Sequence, residues 1–266
     1  MLLDPVEPGQ APSLDDGDAK RAEGLPKKEI ENKLDEQLEK LHELQNVFYA
    51  DGSRALLIVL QGRDASGKDG VVKTVIGAVN PSGVRISSFK KPSELELSHD
   101  YLWRVHQQAP ERGMIGIFNR SHYEDVLVVR VRSLVPESVW SQRYEQINNF
   151  ERMLSENGTI ILKFFLHVSR DEQTERLRER VEDATKNWKF NAGDLEERDL
   201  WESYTDAYRD ALSKCSTDWA PWYVVPSDSN KVRNYLIARR IVETLESLKL
   251  EYPKPQTDLT QYLEHL

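Results

Sequence analysis

From Lys27 onward, apolar residues recur every three or four positions among charged neighbours: Ile30, Leu34, Leu38, Leu41, Leu44 and Phe48. This spacing lines one face of an α-helix, so the stripe predicts a helix laid against the main body of the domain. Beyond it the pattern shifts to short apolar runs without polar alternation, at 55–60, 84–89, 114–118, 159–166 and 222–225. Helical periodicities lie between them, near 70–79, 93–108, 138–154, 170–181, 194–214 and 231–248. Strands that are apolar on both faces and separated by helices predict a five-stranded parallel sheet covered on both sides, an α/β fold of three layers. Residues 1–24 are rich in Pro, Gly and Asp and read as a flexible acidic tail. Residues 25–253 read as a single domain, and 254–266 as a loose C-terminal tail announced by Pro253 and Pro255.

Composition narrows the functional classes. Of 266 residues, 36 are Lys or Arg and 45 Asp or Glu, a net charge of −9. That balance argues against a general nucleic-acid binder, whose affinity rests on a basic footprint. A polyanionic ligand must therefore be held by a local patch. The longest aliphatic run, 55–60, is far shorter than the ~20 residues that cross a bilayer, so no membrane partner is expected. With Cys215 as the single cysteine, an internal disulfide and a cysteine metal cage are both excluded. The acidic N-terminus lacks the pattern of a secretory signal, and a cytoplasmic location is the expectation.

The run ALLIVL leads straight into Gly62-Arg63-Asp64-Ala65-Ser66-Gly67-Lys68-Asp69-Gly70 and then into a helical stretch. Gly62, Gly67 and Lys68 match G-x-x-x-x-G-K in the strand-to-helix setting that a phosphate loop requires. Glycines let the backbone turn its N–H groups onto a phosphate, and the lysine bridges phosphoryl oxygens as a point charge. Residues 62–70 are thus candidate phosphate ligands. Asp69 stands where Ser or Thr usually ligates Mg²⁺. Asp64 is the natural substitute, because a loop carboxylate repels phosphate unless a divalent cation lies between them; the plainer reading is a carboxylate that braces the loop.

A second polar block, Asn119-Arg120-Ser121-His122-Tyr123-Glu124-Asp125, follows the third strand-like run, at the end of a parallel strand where α/β ligands collect. Arg120 has the bidentate geometry to clamp a transferring phosphoryl group. The segments GRDASGKDG, IFNRSHYEDVLVVRV, WKFNAGD and WAPWYVVPSD, in that order, resemble the polyphosphate kinase 2 family and specifically its class III subgroup, over roughly 26–253. The resemblance implies a P-loop kinase fold with a helical lid near 180–195. It implies reversible transfer of the terminal phosphoryl group of inorganic polyphosphate to AMP and ADP, with Mg²⁺ (Mn²⁺ as the alternative ion), in a homo-oligomer. By position it implies catalytic roles for Asp64, Lys68, Arg120 and the lid-side Arg180. Most of the wider family has Asp where this chain has Asn119 and Trp where it has His122, which leaves Asp64 as the surest metal ligand and Asn119 with a neutral oxygen to offer; Glu124 could hold a second Mg²⁺.

The remaining candidates have plain readings beside them. Asn119, Arg120, Glu124, Asp125, Lys186 and Lys189 are candidate nucleotide contacts; Glu124 and Asp125 equally suit an acidic first helical turn, and the lid lysines a solvated helix face. Lys73, Lys90, Lys91 and Arg104 form a candidate basic track for the rest of the phosphate chain. His99, His106, His122 and Cys215 read as structural, since an acceptor that is already a phosphate anion needs no histidine base. Trp188 and Phe190 could meet the nucleotide base, while the stripe Trp201, Tyr204, Tyr208 reads as core. Two other functions fit the phosphate loop alone: an ATP-dependent nucleoside monophosphate kinase, and a non-catalytic sensor of polyphosphate or nucleotide.

Overall fold

The computed structural model describes residues 3–20 and 26–266. Five parallel strands, β1 (Ala55–Gln61), β2 (Val84–Ser88), β3 (Ile115–Asn119), β4 (Thr159–His167) and β5 (Trp222–Pro226), form one sheet in the order β2-β3-β1-β4-β5. β1 lies at its centre, with Leu60 opposite Asn119 of β3 and Phe164 of β4. Among the described residues, seven α-helices of seven residues or more accompany it: α1 (Lys27–Asp51), α2 (Lys68–Thr74), α3 (Arg143–Glu156), α4 (Arg170–Glu182), α5 (Gly193–Asp199), α6 (Trp201–Cys215) and α7 (Asn230–Ser247).

Side chains alternate between the two faces of the sheet. Leu56, Ile58 and Leu60 join Phe164 and Tyr223 in a core shared with α1, α2 and α7, whereas Leu57 and Val59 join Phe118, Phe165 and Trp222 beneath α3 and α6. Burial on both faces explains why β1, β4 and β5 read as apolar runs, whereas the edge strand β2, expected as one, carries Arg85, Ser87 and Ser88 and is largely exposed; the three-layer expectation holds. Some helices are shorter than their periodicity predicts. The stretch 93–108 forms two single turns, Glu94–Leu97 and Trp103–His106, because Asp100 accepts the Leu102 N–H at 3.0 Å and starts a new turn. The stretch 194–214 is interrupted at Leu200, between α5 and α6.

The N-terminal segment corrects the expectation of a flexible tail at 1–24. Of its described part, Leu3, Leu14 and Ala19 are buried. The Val6 N–H donates to Trp222 O at 2.8 Å, Gly9 N–H to Ser213 O at 2.9 Å, and the Asp228 N–H to Ala19 O at 3.3 Å. Thus 3–20 straps β5 and the end of α6 through its backbone, which composition does not reveal. Residues 1–2 and 21–24 of that expected tail lie outside the described residues. Among the described residues no helix is long and apolar enough to cross a membrane.

Candidate active site

β1 delivers Gln61 to its carboxyl end, and the chain curls through 62–67 into α2. Gly67 adopts φ +96°, open to glycine at little cost, and at Gly62 a Cβ would come within 2.7 Å of Leu166 O, so both positions require the residue they have. Lys68 is 8% exposed and folds back over the loop, donating from Nζ to Gly62 O (2.7 Å) and Arg63 O (3.1 Å). Burial, aided by Arg120, pulls its ammonium down to about 8. It is a cation at neutral pH that holds only neutral carbonyls.

Across from the loop, Arg120 adopts φ +60°, unusual for a residue with a Cβ. Its Nη2 donates to Asp64 Oδ1 at 2.5 Å and its Nη1 to Glu124 Oε2 at 3.2 Å. Glu124, ahead of Asp64, raises the guanidinium's affinity for its proton. Gln61 Nε2 donates to Glu124 Oε1 (3.2 Å) and Ser121 Oγ (3.1 Å), fixing the turn to the end of β1. Asn119 Nδ2 donates to Asp69 Oδ1 at 3.0 Å, which links the second polar block to the phosphate loop. From α4, Arg176 Nη1 donates to Ala65 O (2.9 Å) and Gln173 Nε2 to Asp64 O (3.0 Å), bracing the loop from the lid side.

Two cavities meet here. A basic cleft of about 610 Å³ exposes Lys68, Lys90, Arg120, Arg176, Arg180 and Lys186, with Asp64, Asp69 and Glu179 as its carboxylates. A second cavity of about 250 Å³ is lined by Glu124, Asp194, Trp201, Tyr204 and Tyr208, with Arg63 at its edge. Asp64 and Arg120 line both cavities and form their shared wall. Arg63 does not point its cation into the phosphate cleft: the guanidinium lies 3.8 Å from the centre of the Trp201 ring and donates to Thr205 Oγ1 at 2.5 Å, and burial lowers it to about 10. The stripe on α6 is therefore core and cavity wall at once. Trp188 is 78% exposed and lines neither cavity.

Four expectations need correction. Arg104 is 8% exposed, donates to Lys90 O at 2.8 Å and stacks 5.5 Å over Phe89, so it braces the turn after β2 and is no part of a phosphate track. Lys73 and Lys91 line neither cavity, because α2 and the turn after Lys90 carry them away from the cleft. Asp125 pairs with Arg143 at 2.9 Å and lines neither cavity; burial, against the pull of Arg143, raises its carboxyl to about 6. His122 is fully buried, with Nε2 3.1 Å from Glu151 Oε1, in line with a structural role.

Sequence reasoning passed over Asp194, Gln173 and Arg176. Asp194 accepts from Arg180 Nη1 at 2.8 Å, and burial, helped by Asp64, raises its carboxyl. It ends the WKFNAGD segment, the one signal that marked it; the other two sit in a helix whose charges nearly cancel.

A fold that presents a phosphate loop, a basic cleft and an adjoining acceptor-sized cavity at the ends of parallel strands is, by class, a P-loop phosphotransferase. The chain matches the polyphosphate kinase 2 (PPK2) family over residues 24–253 and belongs to that family. It is 57% identical over 224 residues to the AMP/ADP-polyphosphate phosphotransferase of Meiothermus ruber, across 84% of this chain and 83% of that protein. It is 47% identical over 230 residues to the ADP-polyphosphate phosphotransferase of Rhodopseudomonas palustris, across 82% of this chain and 80% of the relative. Among solved structures, polyphosphate kinase 2 from Arthrobacter aurescens superposes with a TM-score of 0.91 at 37% identity, covering 99% of this chain and 98% of that one.

Proposed function

We propose that this chain transfers the terminal phosphoryl group of inorganic polyphosphate to AMP and ADP, reversibly, as a class III polyphosphate kinase 2. One observation carries the reading: a strongly basic cleft and a smaller cavity walled by aromatic rings share Asp64 and Arg120. A polyanion with no base or sugar suits the first, and a nucleotide suits the second. The name of the Meiothermus ruber relative supports the AMP and ADP range.

The donor lies along Lys68, Lys90 and Arg180, with its terminal phosphoryl group between Lys68 and Arg120. The acceptor phosphate enters from the side of Glu124, so attack and departure occur on opposite sides of the shared wall. An acceptor that is already an anion needs no general base, and catalysis rests on alignment and charge neutralisation. Lys186 and Lys189, expected as nucleotide contacts, line the basic cleft instead and close it from the lid side. Arg180 is held by Asp194 at 2.8 Å, so a bound donor competes with that carboxylate for the guanidinium.

The oxygen-only donor set fits a hard divalent ion. Asp64, with Glu124 and the Asn119 side-chain oxygen, would hold Mg²⁺ or Mn²⁺, and among the described residues no group of three or more His, Cys, Asp or Glu forms a cage for a metal. That matches an ion bound by one or two carboxylates and by substrate phosphates. When bound, it supplies charge neutralisation on the transferring group. Asp64, now paired with Arg120 at 2.5 Å, would in that role leave the guanidinium to face phosphate. A homo-oligomer acting in the cytoplasm completes the proposal. Donor competition tests it: purified protein with ADP should form ATP from polyphosphate, and transfer to AMP from ATP alone, absent with polyphosphate, would replace this reading with a nucleoside monophosphate kinase.

A further inference from the structure

Arg233 lines the basic cleft, and the mechanism above leaves it unused. It projects from the first turn of α7 and is 1% exposed. Its partners are neutral oxygens only: Asn230 Oδ1 accepts from Nη1 at 2.7 Å, and Asn234 Oδ1 from Nε at 3.1 Å and Nη2 at 2.9 Å. A longer contact of 3.4 Å runs from Nη1 to Ser66 O. Among the described residues no carboxylate pairs with it, whereas its neighbour Arg176 has Glu172 at 2.9 Å. Burial, with a smaller push from Arg176, lowers the guanidinium to about 9.

Its position explains a glycine outside the phosphate-loop pattern. A Cβ on Gly67 would collide with Arg233 Nη1, and one on Gly70 would lie 2.7 Å from Nη2. The guanidinium thus rests against the turn Gly67–Gly70, and Arg233 lines the basic cleft with Asn230 and Asn234. A buried cation without a counter-ion is disfavoured relative to well-packed apolar residues of similar volume. The group that would neutralise it is the anion this cleft takes.

We propose that Arg233 is a positioning residue for the polyphosphate donor: it fixes the Gly67–Gly70 turn from behind and supplies a second built-in charge that the bound phosphoryl groups neutralise. The proposal rests on polyphosphate as the donor. Arg233 acts through the loop, and its effect falls on donor binding and not on the nucleotide.

The test uses full-length protein, with tripolyphosphate and AMP as calorimetric probes and thermal melts without ligand. Arg233→Gln should weaken tripolyphosphate by about tenfold or more, keep AMP affinity within about twofold, and melt no lower than the parent protein; Arg233→Lys should recover most of the loss. Asn234→Asp gives the guanidinium its own carboxylate with little change of shape. It should raise the melting temperature and weaken tripolyphosphate, and it decides the matter if Arg233→Gln does not fold. Asn234→Asp that binds tripolyphosphate as the parent does, or Arg233→Gln that melts lower with unchanged tripolyphosphate binding, overturns the proposal. If the parent protein itself fails to bind tripolyphosphate, the donor reading falls and this inference with it.

Discussion

The sharpest energetic prediction concerns a buried ion pair behind the active-site turn. Lys163 on β4 and Glu151 on α3 meet at 2.5 Å with both side chains fully buried. Glu151 also accepts from Tyr123 OH at 2.9 Å and lies 3.1 Å from His122 Nε2, while Lys163 Nζ donates further to Tyr123 OH (2.8 Å) and Cys215 O (2.7 Å). Burial works to raise the Glu151 carboxyl, yet Lys163 and His122 outweigh it and hold it below its ordinary value. Removing one member of such a pair leaves a buried charge facing neutral groups and costs ~3–5 kcal/mol. Glu151→Leu strips the ammonium of its paired carboxylate and should lie near the top of that range. Lys163→Met should cost slightly less, since Tyr123 and His122 remain to donate to Glu151. The double variant exchanges the pair for apolar bulk among Phe150 and Trp222 and should cost only ~1–2 kcal/mol. Equilibrium unfolding in urea, run on all four proteins as a double-mutant cycle, therefore predicts a coupling energy above ~2 kcal/mol. Single losses that simply add up in the double variant, within ~0.5 kcal/mol, would refute the claim that the two charges form one unit.

Three further outcomes follow from the same geometry. Lys68→Ala should reduce transfer by at least ~100-fold, about 2.7 kcal/mol of barrier, with an unchanged melt; full activity in that variant would remove the phosphate-loop assignment. Because Lys68 is pulled down to about 8, the phosphate-binding cation is present below that pH and lost above it, so kcat/KM for polyphosphate should fall above pH 8 by up to tenfold per unit; a flat profile from pH 7 to pH 9.5 would contradict this. Deleting residues 1–15 strips Leu3 and Leu14 from the core and the Val6–Trp222 bond from the edge of β5. Each buried Leu is worth ~1.5–3 kcal/mol, so the melting temperature should drop by roughly 5–10 °C, whereas a freely flexible tail would leave it unmoved.

The inner strands were legible because strands buried on both faces must be apolar throughout, as Leu56 to Leu60 are, unlike the exposed edge strand β2. The phosphate loop was legible because its chemistry is local: Gly62, Gly67 and Lys68 lie within one turn of chain. What escaped is what depends on tertiary direction. Arg104 and Lys90 look alike in sequence, yet one turns inward onto Phe89 and the other lines the cleft. Asp125 and Glu124 are adjacent, and the short turn that carries them sends one to Arg143 and the other to Arg120. Arg233 reaches the loop only through the fold, from a helix far along the chain. The N-terminal strap is held by backbone hydrogen bonds and by only a few buried side chains, Leu3, Leu14 and Ala19, too few to mark its composition.

One time course tests the central claim most directly: purified protein, Mg²⁺, long-chain polyphosphate and AMP, with no ATP added, sampled for all three nucleotides. The account predicts ADP first and ATP after it, with polyphosphate consumed in step. AMP left untouched while polyphosphate persists would contradict it.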